Sequence, residues 1–401
     1  MTKVLLFLKL PVRTSLATVR VWRGTRGRMS SKEHLYGLDL LRIVAAILVL
    51  LNHFALFGWA TPNGAAQGDA VAFAYLEPFA VVGAIGVEIF FVISGFVIAL
   101  STINATPSQF LRHRIIRVFP ALWICGFVAL AARAAGGEEM TTLAMDYARS
   151  AVLSPIGPYI DGVIWTLVVE AVFYGVIFLA MVFHKLITLE WVALILGLSS
   201  SLFITVFLYF YAMSLTYGES DIYDLLRRFP FKVVLLRHGV FFAIGILIYS
   251  IFQKGFTREK AAYIAAFCVF GLIEIAISYG AAEKVVPMLL IWLFALVVII
   301  ASVRHARAIQ EFFHTSHNSV RNLGRLSYPL YLSHYSLGMV LVPLLAGLGL
   351  ARINVLALSL FIVFATSWTV MYWPEAMMQR YLRTVLFRVK RGPVELAGRV
   401  S

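Results

Sequence analysis

The chain has 401 residues, of which 61% are hydrophobic and only 13% charged, with a formal net charge of +14 and a mean hydropathy of +0.87. A soluble globular domain carries about a quarter charged residues, so this composition excludes a disordered chain, a fibrous protein and an ordinary soluble enzyme. The basic balance falls between apolar runs, so membrane orientation accounts for it and no nucleic-acid partner is expected.

Residues 1–34 form a basic N-terminal segment. Its first 28 residues are Arg-rich and contain no acid, which suits a targeting segment, an amphipathic surface helix or a start assigned too early. Met29-Ser-Ser-Lys-Glu reads as an alternative start. The run Val4 to Leu10 is too short to cross a bilayer. Ten spans follow, at 39–57, 83–100, 117–134, 164–183, 191–211, 236–252, 261–279, 286–303, 327–346 and 355–374. Each approaches the length needed for about 30 Å of hydrocarbon. Only a helix satisfies its own backbone there, so the fold class is all-α, a polytopic membrane helical bundle.

With the N-terminus in the cytoplasm and ten alternating spans, the cytoplasmic segments are 1–42, 101–117, 184–190, 253–260, 304–326 and 375–401. They hold 26 of the 34 lysines and arginines, which puts both termini inside. The largest external loops, 58–82, 135–163 and 212–235, are too short for a separate domain. Residues 376–401 read as a basic cytoplasmic tail against lipid headgroups. Cys125 and Cys268 lie in separate spans and predict neither a disulfide framework nor a metal site.

Ionisable residues inside spans are costly and face a cavity or a partner. Arg42 opens the first span and His53 lies eleven residues on, three turns along one helix face and about 16 Å deeper. Glu88 in the second span and Glu170 in the fourth fall at overlapping depths with His53. A histidine and a carboxylate at one level form an acid–base pair. Each of the three also suits a structural hydrogen bond or ion pair. Arg114 and Arg117, three apart, share a helix face at the mouth of the third span. Their forks suit phosphate oxygens, and equally an anchor beside anionic lipid. Trp165, Tyr328 and Tyr331 suit an interfacial belt, and His334 either lines a cavity or bonds to a neighbouring helix. Pro329 is placed near a helix start, where proline is tolerated. His305, His314 and His317 fall in a polar loop whose spacing makes no metal site.

Several of these residues sit in motifs that agree in order and spacing. Gly37-Leu-Asp-Leu-Leu-Arg42 followed by His53, and Gly86-Val-Glu-Ile-Phe-Phe-Val-Ile-Ser94-Gly-Phe, resemble the first two span signatures of the acyltransferase-3 family of integral membrane acyltransferases. Arg114-Ile-Ile-Arg117-Val-Phe-Pro120 is similar to its cytoplasmic RxxR motif. Trp165-Thr-Leu-Val-Val-Glu170 and Leu326-Ser-Tyr-Pro-Leu-Tyr-Leu-Ser-His334 resemble its later motifs. Together they span residues 35–375. Two departures stand out: Ala171 replaces a second acid after the tryptophan motif, and Glu88 replaces an aspartate common in the second span.

The resemblance implies a stand-alone membrane acyltransferase without the extracytoplasmic hydrolase-like domain of larger members, working alone or with a separate extracytoplasmic transfer protein. It implies acyl-CoA, acetyl-CoA first, as donor and a hydroxyl of a cell-surface or lipid-linked carbohydrate as acceptor, at the bacterial inner membrane. Arg42, Arg114 and Arg117 would hold the donor's phosphates. His53 would act as general base or take the acyl group itself, and Glu170 would orient the imidazole. Glu88, Ser94, Trp165, Tyr328 and His334 would line the cavity, and no metal is implied. A proton-coupled transporter remains the alternative, since buried His, Glu and Arg are as natural there; a structural subunit of a polysaccharide assembly is a third reading.

Overall fold

The computed structural model describes residues 34–56, 73–184, 186–218, 221–279 and 282–387. Residues 1–33 of the basic N-terminal segment, 57–72 of the first external loop and 388–401 of the tail lie outside the described residues. Helices are α1 (Tyr36–Leu56), α2 (Gly86–Leu100), α3 (Pro107–Ala135), α4 (Met140–Ala151), α5 (Ile164–Val182) and α6 (Leu189–Tyr217). Then come α7 (Gly239–Lys254), α8 (Arg258–Tyr279), α9 (Ala282–Arg304), α10 (His317–Gly347), α11 (Arg352–Tyr372) and α12 (Pro374–Leu386). No strand occurs among the described residues.

Among those residues, nine helical tracts are long and apolar enough to cross a membrane, and α7 is the shorter tenth. The protein is a multi-pass integral membrane protein of all-α class. The last tract runs from Arg352 to Leu386, but Trp373 bends it, because a residue before proline avoids the helical region. Every expected span has its helix.

The helix ends differ from expectation in an instructive way. α3 starts at Pro107, ten residues before the apolar run, on a Thr106–Gln109 capping box with proline at its first position. α10 starts at His317, and Pro329 sits inside it rather than at its start. At 29 and 31 residues, these helices reach about 43 and 46 Å, beyond the hydrocarbon. Their polar first turns therefore carry Arg112, Arg114, Arg117, Arg321 and Arg325 at one end of the bundle. The amphipathic α12, with Arg380 and Arg383, packs on α3 at the same end. That end is the basic face. The expected loop 135–163 carries α4, which packs on α3, and the expected loop 212–235 carries the end of α6 and the short helices Asp221–Arg227 and Phe229–Val233.

α7 is buried from Gly239 to Ile251, as befits a helix apolar all round. It packs between α2 and α6. Gly95 of α2 and Gly245 of α7 meet backbone to backbone: a methyl on Gly95 would strike the Phe242 carbonyl, and one on Gly245 the Val92 carbonyl. A second apolar cluster joins α1, α10 and α11 through Phe54, Leu330, Leu337 and Val363. Among the described residues, two cavities take in most of the motif residues.

Candidate active site

The first cavity, about 380 Å³, lies toward the basic face. α1 contributes Arg42, α2 contributes Ser94, α3 contributes Arg114 and Arg117, α5 contributes Glu170 and Tyr174, and α10 contributes Tyr328. Phe90, Phe91, Val97 and Leu332 make its apolar wall. Arg114 and Arg117 lie against aromatic rings. Arg114 lies 5.6 Å over Phe110 and 5.8 Å over Tyr174, and Arg117 lies 5.3 Å over Tyr328. The nearest acid oxygen to Arg117 belongs to Glu375, at a loose 3.9 Å. The buried Nε of Arg114 has no protein partner among the described residues. Glu170 accepts a hydrogen bond from Ser94 Oγ and stands within electrostatic reach of Arg42. Among the residues that line this chamber, three arginines face one carboxylate, Glu170.

The second cavity, about 240 Å³, lies toward the opposite face. His53 and Asn52 from α1 line it with Trp165, Tyr279, Tyr331 and Tyr335. The His53 ring meets α10: its Nδ1 lies 2.7 Å from Nε2 of His334, with the rings stacked at 5.0 Å between centroids. His334 in turn places Nδ1 3.1 Å from the carbonyl oxygen of Leu330. Tyr335 stands edge-on to His53 at 4.9 Å. Val87 and Tyr331 line both cavities, so one thin wall separates the arginines from the histidine. Tyr331 is fixed in that wall by Thr166, 2.9 Å from its hydroxyl.

A model for an acyltransferase domain matches residues 35–373. The chain belongs to the acyltransferase-3 family. An O-acetyl transferase of Shigella phage Sf6 is 28% identical over 222 residues, which cover 51% of this chain and 59% of that protein. Nodulation protein 10 of Rhizobium leguminosarum bv. viciae is 32% identical over 167 residues, 36% of this chain and 43% of that protein. The chain thus spans about half the length of the curated relatives it matches. No solved structure matches it. The matched region takes in the membrane-spanning helices from residue 35 to residue 373.

The structure gathers Arg42, Ser94, Arg114, Arg117, Glu170 and Tyr328 at the first cavity, and His53 and Trp165 at the second. It does not seat Glu170 against the His53 ring, where depth alone had placed it. Glu170 lies in the first chamber, beside Ser94 and the arginines, while His53 lines the second. His334, fully buried, lies behind His53 and lines neither of the two cavities. Glu88 also lines neither; it accepts a hydrogen bond of 3.0 Å from Tyr279. Tyr328 is no belt residue, since its hydroxyl donates to the Val118 carbonyl at 3.0 Å.

Residues that sequence reasoning missed cluster near Trp165. Arg237 Nε lies 2.8 Å from Glu274, with Ser278 bridging, and both charges are buried. Lys232 Nζ sits 4.7 Å over the Trp165 ring. The buried His238 packs on Trp165 and Phe91, with no partner for either ring nitrogen among the described residues. The charged pair at 237 and 274 was legible only as two residues in different segments, 37 apart.

Proposed function

We propose that this protein moves an acyl group, acetyl first, from acyl-CoA bound at the basic face to a hydroxyl of a carbohydrate entering from the opposite face. The observation that carries the reading is the shared wall: an arginine-lined chamber and a histidine-lined chamber meet at Val87 and Tyr331. Arg42, Arg114 and Arg117 suit the phosphates of a CoA donor, and the weakly paired Arg114 leaves donor capacity for them. The apolar wall suits a pantetheine arm and a short acyl chain. Trp165, Tyr279, Tyr331 and Tyr335 offer ring faces of the kind that cover the C–H faces of a sugar, and Asn52 lines the same chamber.

His53 is the general base of this reading. It removes the proton of the acceptor hydroxyl, whose oxygen attacks the thioester carbonyl. The C–S bond breaks, and the departing CoA thiolate takes the proton back from His53. Glu170 serves as counter-charge to the arginine cluster rather than as partner of the base. The basic face is the cytoplasmic one in this reading, as the distribution of lysine and arginine supports. A bacterial inner membrane fits relatives from a bacterium and a bacteriophage.

The test uses purified protein in lipid nanodiscs with acetyl-CoA and a panel of bacterial oligosaccharides and glycolipids. Thiol release that depends on the acceptor is the expected result. A carrier, which needs two compartments, would release no thiol under any acceptor, and that result would overturn the reading.

A further inference from the structure

The His53–His334 contact links residues 281 positions apart, and its polarity can be worked out. A backbone carbonyl only accepts, so His334 Nδ1 carries a hydrogen and donates to Leu330. An imidazolium fully buried within the bundle is costly, so the His334 ring is neutral and its Nε2 is an acceptor. His53 Nδ1 must then be the donor. In that tautomer the basic lone pair of His53 lies on Nε2.

We propose that His334 is a positioning residue: it holds His53 in the Nδ1–H tautomer and sets the direction of its basic Nε2. This rests on the acyl-transfer reading, in which His53 is the base. His334 does for the ring what a carboxylate does in a hydrolytic triad, with a neutral acceptor in place of a charge. The exchange makes sense at this depth, because a carboxylate would bring its own desolvation cost.

The surroundings of His334 are built to hold it still. Ser333 Oγ lies 2.9 Å from Ser367 Oγ of α11. On the other side, the Ser336 amide donates to the buried Asp161 carboxylate at 2.9 Å, which ties α10 to the loop that contributes Gly162 and Val163 to the His53 chamber. Tyr335 meets the edge of the His53 ring between these two ties. α10 is thus clamped one residue before and two residues after His334. When His53 takes a proton at Nε2, the resulting cation keeps its Nδ1–H pointed at a fixed acceptor, which lowers the cost of the charge without a second proton moving.

The experiment compares wild type, His334→Gln and His334→Leu in nanodiscs, by steady-state kinetics and by 15N-histidine NMR, with His53→Ala used to assign the His53 signals. His334→Leu should lower kcat about 100-fold, the scale of a misaligned general base, with the KM for acetyl-CoA within about twofold of wild type. His334→Gln, whose Oε1 accepts from Nδ1–H, should recover about tenfold of that loss. The His53 signals should report a protonated Nδ1 in wild type and His334→Gln, and mixed tautomers in His334→Leu. Equal losses in both variants, a change confined to donor KM, or an Nε2–H tautomer in wild type would overturn the proposal. If His334→Leu does not fold, the wild-type tautomer and the glutamine variant still decide it. If wild type transfers no acyl group, the acyl-transfer reading fails, and the NMR arm reads the tautomer regardless.

Discussion

The two cavities sit a wall apart and solve opposite problems. The first concentrates positive charge: three arginines face it, Arg114 and Arg117 cushioned on Phe110, Tyr174 and Tyr328, with Glu170 beside them. The second has no acidic or basic side chain other than histidine among its lining residues: His53, backed by His334, is ringed by Trp165 and three tyrosines. A polyanion can be recognised by charge, which needs guanidinium groups left short of acids. A proton carrier needs a ring that is neutral at rest and held in one tautomer. A single chamber could not do both well, because arginines beside the imidazole would disfavour the cation it must become.

This contrast can be broken from either side. His53→Ala should have the largest effect, a loss of transfer of about a thousandfold with donor KM unchanged, read as a kcat-against-KM split. A matching rise in donor KM would mean that the two chambers are one. Removing the wall comes next. Tyr331→Ala should raise acceptor-independent hydrolysis of acetyl-CoA about tenfold by admitting water to the thioester, measured as thiol release without acceptor. Unchanged hydrolysis would show that Tyr331 separates nothing. On the charged side, Arg114→Ala and Arg117→Ala should each raise donor KM about tenfold, equivalent to about 1.4 kcal/mol, and leave kcat nearly intact. Loss of protein from the membrane without a change in KM would favour a lipid anchor instead.

Much of the molecule was legible before any coordinates. The spans stood out because a hydrocarbon core demands long apolar helices, and each predicted one has its helix. The family motifs named Arg42, His53, Arg114, Arg117 and Glu170, and all five line one of the two cavities. The beginnings of α3 and α10 were not legible from hydropathy, because both helices continue about ten residues past the apolar run; in α3 the Thr106–Gln109 box marked the start. The buried Arg237–Glu274 pair was hidden because neither residue lies in a motif and its partner is in another segment.

What the sequence determined by itself is which segments form long apolar helices and where the lysines and arginines fall between them. Both follow from position along the chain. What only the tertiary structure decided is which groups face one another: that His53 turns to His334, and that Glu170 turns to Ser94 and the arginines. A span that is apolar on every side carries no stripe to mark its inward face. Its rotation is set by contacts such as Gly95 against Gly245, and those exist only when the helices have met.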